Sequence, residues 1–206
     1  MSEAKKEKVQ MDPKYLFKLA GILMVICAIV AALLGVVNGV TADKIAALQA
    51  EKLQQSLQVV FPGAEFTEVD VTDDLVTLAA SPDAESGLAA IYAASTGGYA
   101  LEVKPTGFGG SIDMIVGIDG DGNVTGISVI SHTETAGIGT KIVADKPNKN
   151  GVGVLTQFVG RGAGEGNLFT VNSGSNEVDA ISGATVTTKA ITRGVNAASL
   201  VAEQLG

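Results

Sequence analysis

Cysteine and histidine each occur once in the 206 residues, as Cys27 and His132. A single thiol forms no disulfide within the chain and cannot by itself hold an iron–sulfur cluster, which needs several thiolates. A single imidazole excludes a histidine-rich metal site. No G-x-S-x-G elbow accompanies it, so no Ser–His–Asp hydrolase follows either. The glycine-rich stretches contain neither G-x-x-x-x-G-K-[ST] nor G-x-G-x-x-G between a strand and a helix, which removes those modes of nucleotide binding. Asp119-Gly120-Asp121-Gly122-Asn123 alternates like a calcium loop, but its sixth position is Val124 and its twelfth is Ile130, so it reads as a hairpin turn. Acidic residues outnumber basic ones, giving a net charge of -8. That balance repels nucleic acid. No internal repeat is present.

Residues 19–37, LAGILMVICAIVAALLGVV, contain no charge. At about 1.5 Å per residue this run spans roughly 28 Å, close to the hydrocarbon thickness of a bilayer. It is longer than the apolar core of a cleaved signal peptide, about 7–15 residues, and is read as a retained anchor. Cys27 lies in mid-span after Ile26, where a lipoprotein would want a small residue. Five lysines precede the run against three acids, so residues 1–18 carry +2 and the remainder -10. Basic flanks stay cytoplasmic, which places the N-terminus inside and the chain after about residue 40 outside.

The expected organisation is a cytoplasmic tail (1–18), a transmembrane helix (19–40), a helical stalk (41–62) and an outer domain (63–206). Thr41 reads as the N-cap of the stalk, whose apolar residues are Ile45, Leu48, Leu53 and Leu57. Pro62-Gly63 stops it. Short β-type runs follow at 64–71, 88–94, 99–103, 112–118 and 124–130. After a glycine-rich region with an apolar stretch at 152–159, Ile191, Val195, Ala198, Ala202 and Leu205 recur on one face of a predicted amphipathic helix over 186–205. The fold class is α+β, with a mainly antiparallel sheet flanked by helices.

Asp179-Ala180-Ile181-Ser182-Gly183-Ala184-Thr185 opens that last helix. It sets a hydroxyl beside a small-residue turn at a helix N-terminus, where unpaired N–H groups and the dipole favour a phosphate. The same residue types are ordinary helix caps, and Ser182, Thr185, Thr187 or Thr188 can each serve. A second polar loop runs His132-Thr133-Glu134-Thr135-Ala136-Gly137-Ile138-Gly139-Thr140. A third, Gly107-Phe108-Gly109-Gly110, precedes a strand.

The first run resembles the attachment motif D-x-x-[ST]-G-A-T of the FMN-binding domain family, and the second is similar to that family's H-x-E-T-x-G-[LI]-G segment. With the single anchor, the chain resembles the G subunits of Rnf ion-translocating electron-transport complexes and, less closely in length, the C subunit of the sodium-pumping NADH:quinone reductase. The resemblance implies FMN joined by a phosphoester to Thr185, with Asp179, Ser182, Gly183 and Ala184 around the attachment point. It implies that His132, Glu134, Thr135, Gly137 and Gly139 border the flavin. It further implies a flavin transferase that moves FMN from FAD with magnesium assisting, membrane lipid and other complex subunits as partners, and an electron-relay role in a ferredoxin:NAD oxidoreductase coupled to ion translocation. A threonine hydroxyl is a poor nucleophile unaided, so attachment requires outside catalysis. Two other readings are a stand-alone extracytoplasmic flavin reductase and a non-redox anchored binding module.

Overall fold

The computed structural model describes residues 13–206. Most of the lysine-rich tail therefore lies outside the described residues. A 48-residue helix, α1 (Pro13–Val60), opens the structure. The chain divides into two units, Met1–Ala50 and Glu51–Gly206. In the first, α1 is long and apolar enough to cross a membrane. Its large apolar side chains, among them Leu23, Met24, Leu33, Leu34 and Val36, are exposed.

No helix start occurs at Thr41. The helix runs through it, and the Thr41 hydroxyl donates back to Val37 O at 2.8 Å, the habit of threonine inside a helix. The N-cap expected there is corrected accordingly. α1 ends at Val60, and Gly63 at φ +77° turns the chain away.

In the second unit, five strands form an antiparallel meander: β1 (Phe66–Val69), β2 (Ser86–Ala94), β3 (Tyr99–Pro105), β4 (Ile112–Ile118) and β5 (Val124–His132), in that spatial order. Each pairs with its neighbour in sequence, so short turns suffice for most connections. A short helix, α2 (Asp73–Ala79), joins β1 to β2. After β5 come one turn of helix, α3 (Thr140–Val143), and a two-residue parallel pair, β6 (Thr170–Val171) and β7 (Glu177–Val178). The 21-residue α4 (Thr185–Leu205) closes the chain and lies on β2, β3 and β4 beside α2. The apolar stretch at 152–159 forms no strand; it is a run of turns that buries Val154, Leu155 and Phe158.

Both faces of the sheet are covered. Ile91, Leu101, Val103, Met114 and Val116 meet Ile191, Val195, Ala198 and Val201 of α4 in the main core. On the opposite face, Ala94, Ala100 and Ile115 pack against Leu57, Val60 and Phe61 from the end of α1 and the residue after it. The two close approaches use glycine. A Cβ on Gly194 would lie 2.9 Å from Pro105 Cγ, and one on Gly117 would lie 2.8 Å from Val60 Cβ. The core thus holds α4 against the sheet, with its first turn tied to the loop that leaves β5.

Candidate functional site

Thr185 is the first residue of α4. The turn before it closes by Ala184 N–H donating to Ile181 O at 2.9 Å, with Gly183 at φ +84° in the third position, where a side chain would be strained. Ala184 is buried in the core, and Ser182 and Gly183 face solvent. None of the hydroxyls expected as caps acts as one: the N-cap position is Ala184, without a side-chain cap bond. Thr188 donates to Ala184 O at 3.1 Å and Thr187 to Glu134 Oε2 at 2.6 Å. The Thr185 hydroxyl is half-buried and has no hydrogen-bond partner among the described residues.

Thr185, Gly183, Ser182 and Asp179 line an open cleft of about 640 Å³ together with Asn148 and Lys149. Asp179 is held by three contacts. Asn150 Nδ2 donates to its carboxylate at 2.7 Å, Gln157 Nε2 donates to its carbonyl at 3.1 Å, and its own N–H donates to Gln157 Oε1 at 2.7 Å. Asn172 Oδ1 accepts from Ala180 N at 2.9 Å. In the 147–151 loop, Asn148 Oδ1 accepts from Asn150 N at 2.8 Å and from Val152 N at 3.3 Å, while its Nδ2 is buried without a partner. Lys149 is exposed and forms no ion pair or hydrogen bond among the described residues.

The second motif is adjacent to the cleft but does not line it. Glu134, 7% exposed, accepts from Gly109 N at 3.1 Å through Oε1 and from the Thr187 hydroxyl through Oε2, two residues after Thr185. His132 Nδ1 accepts from Glu134 N at 3.2 Å, and Gly137 N–H donates to Thr140 Oγ1 at 2.9 Å. Gly139 packs on Glu134, where a Cβ would lie 2.8 Å from Glu134 Cβ. Thr135 is exposed. Phe108, 71% exposed, stands beside Gly109 on the surface. A larger cleft of about 730 Å³ lies at the other end of α4, around the 119–122 turn and Glu203, and no motif residue lines it.

The site therefore joins the Asp179–Thr185 run to a loop that sequence reasoning passed over. The signal was present as Pro147-Asn148-Lys149-Asn150-Gly151, a turn-forming composition, but its pairing with Asp179 spans 29 residues and has no local mark. An unbonded hydroxyl, a helix N-terminus and a free cation around one cleft suit a ligand bearing phosphate.

Residues 107–199 match the sequence profile of the FMN-binding domain, and residues 11–60 match that of the RnfG N-terminal region. The chain is 36% identical over 211 residues to the G subunit of the Na(+)-translocating ferredoxin:NAD(+) oxidoreductase complex of Acetobacterium woodii, covering 97% of this chain and 98% of that one. It is 34% identical over 179 residues to the G subunit of the ion-translocating oxidoreductase complex of Cereibacter sphaeroides, covering 84% and 78%. The corresponding subunit of Methanosarcina acetivorans is 32% identical over 194 residues, covering 91% and 94%. With 36% identity along nearly the whole length of the Acetobacterium woodii subunit and both domain profiles in order, the chain belongs to the G-subunit family of ion-translocating oxidoreductase complexes.

Proposed function

We infer that this chain is the electron-relay subunit of a membrane-bound ferredoxin:NAD oxidoreductase complex and carries FMN joined through its phosphate to Thr185. The observation that carries the reading is the Thr185 hydroxyl: unbonded, half-buried, first in α4 and opening on a cleft within the FMN-binding domain match. The residues around it fit the group. The N–H groups of the first turn of α4 favour a phosphodiester, and Gly183 keeps the approach clear of a side chain. FMN supplies the ability to accept and give electrons singly or in pairs, and the domain supplies position and electrostatics.

Attachment would exchange the phosphoanhydride of FAD for a phosphoester on Thr185. Thr185 Oγ bonds the FMN phosphorus of FAD, the pyrophosphate bond breaks, AMP leaves, and the hydroxyl proton passes to a base on the flavin transferase. The chain's part is to present the hydroxyl. Asn150, Gln157 and Asn172 fix Asp179 and Ala180 at one end of the loop, and the Thr187–Glu134 bond fixes the first turn of α4 at the other. On this reading His132, Thr135, Gly137 and Gly139 shape the loop bordering the flavin, and Glu134 positions it.

The chain is anchored in the membrane by one apolar helix. The orientation with the N-terminus cytoplasmic and the FMN domain outside follows from the five lysines before the apolar run. A covalent tether then retains a cofactor where free flavin would be lost.

The test is flavin fluorescence in a denaturing gel, on wild type and Thr185→Val, each expressed with a flavin transferase. A fluorescent band near 20.8 kDa in wild type and none in the variant is expected. A dark wild-type band beside a labelled control protein would return Thr185 to an ordinary helix position.

A further inference from the structure

We propose that the 147–151 loop is the second wall of the cofactor site, with Lys149 pairing the FMN phosphate and Asn148 donating from Nδ2 to an oxygen of the phosphoryl-ribityl arm. The proposal rests on FMN occupying the Thr185 cleft, and it adds binding residues outside both motifs.

Three consecutive side chains carry it, each differently. Asn148 is fixed by its own oxygen, which accepts two backbone N–H groups, so its amide nitrogen cannot turn away to find water. That nitrogen is buried and unpartnered in a residue of the cleft wall. Buried donors without an acceptor are rare and costly, and a ligand oxygen would satisfy this one. Among the described residues, Lys149 forms no ion pair and is the one basic residue lining the cleft, which it shares with the N-terminus of α4 and with two carboxylates, Glu177 and Asp179, the latter engaged by Asn150. The helix end and the ammonium each favour an anion in the cleft, against the Glu177 and Asp179 carboxylates. Asn150 supplies the register. Its 2.7 Å bond to the Asp179 carboxylate ties this loop to the run that ends in Thr185.

The test separates recognition from attachment by using the full-length Thr185→Val protein, which cannot be labelled at that residue, and titrating free FMN and riboflavin by flavin fluorescence. Riboflavin lacks the phosphate. Lys149→Gln should weaken FMN binding by about tenfold, the scale of one charge-assisted contact, and leave riboflavin unchanged. Lys149→Arg should retain the preference for FMN. Lys189→Gln removes a cation one turn along α4 that does not line the cleft, and should change neither. Asn148→Asp keeps the turn-forming oxygen, removes the donor, and should also weaken FMN by roughly tenfold or more. Thermal unfolding of each variant alongside the parent identifies any loss that reflects misfolding, and Lys149→Gln, on an exposed residue, keeps the comparison available.

Equal FMN affinity in Lys149→Gln, Asn148→Asp and the parent overturns the proposal. So does an equal loss from Lys189→Gln, which would mark a general charge effect, or no FMN binding by the parent at all. Failure of the covalent reading looks different: wild type stays unlabelled by the transferase while the Lys149-dependent preference for FMN over riboflavin persists.

Discussion

Glu134 is the side chain on which three segments close. One carboxylate oxygen takes Gly109 N–H, the other takes the Thr187 hydroxyl, and Gly139 lies against its stem because no Cβ fits there. Resemblance alone made Glu134, Thr135 and the two glycines of this loop neighbours of a flavin. The structure places Glu134 inward, with both oxygens engaged, and Gly139 in its service; Gly137, at φ +76°, makes the turn between them. Glu134→Ala leaves two donors unpaired, so a loss of about 1–3 kcal/mol in unfolding free energy is expected, measured by denaturant titration. The same variant should be labelled by the transferase more slowly than wild type, because the first turn of α4 loses its tie. Unchanged stability together with unchanged labelling would show that the first turn is fixed without it. The place of Thr185 at the start of α4 was legible from seven consecutive residues, since the turn, the small residues and the helix start are all local. Asn148 and Lys149 were not, because their importance depends on a loop returning to Asp179 across the fold.

Strands were the most readable elements. Their apolar runs are bounded by glycine and aspartate turns, and each pairs with the next in sequence, so no distant partner had to be guessed. The two short helices α2 and α3 escaped because seven and four residues are too few for a periodic pattern to emerge. Thr41 misled in the opposite direction: cap-type residues also occur inside helices by bonding the carbonyl four residues back. Within the sheet, β3 and β4 bring Glu102, Lys104 and Asp113 together, with Lys104 Nζ 3.2 Å from Glu102 and 3.6 Å from Asp113. Burial pushes the Asp113 carboxyl up, and the neighbouring Glu102 charge adds to this, against the pull of Lys104. A raised carboxyl favours the native state when protonated. Its contribution is full below the ordinary value of 3.8 and is lost as pH rises through the folded value. Asp113→Asn should therefore lose less stability than wild type as pH rises above the ordinary carboxyl value, when thermal midpoints are compared. A wild-type pH profile in the variant would locate the dependence elsewhere.

At the scale of the molecule, the sequence divided the chain by composition, an uncharged apolar run followed by an acidic remainder, and the structure divides it by contacts at Ala50. The acidic balance and the single thiol limited what the chain could hold without saying which end of the domain held it; only the fold puts both motifs at the same end of α4. That helix comes last in the chain, yet it supplies Ile191, Val195, Ala198 and Val201 to the centre of the core. All five strands of the meander are made before Thr185, so the core face that α4 covers is completed only by the last helix. A transferase that recognises the cleft rather than the bare heptapeptide then has nothing to modify until α4 has docked, and flavin becomes a mark borne only by finished molecules. Protein held unfolded in urea should go unlabelled and recover labelling on refolding, read by in-gel fluorescence. Equal labelling of the unfolded chain would show that the heptapeptide alone is read, and that the mark carries no record of folding.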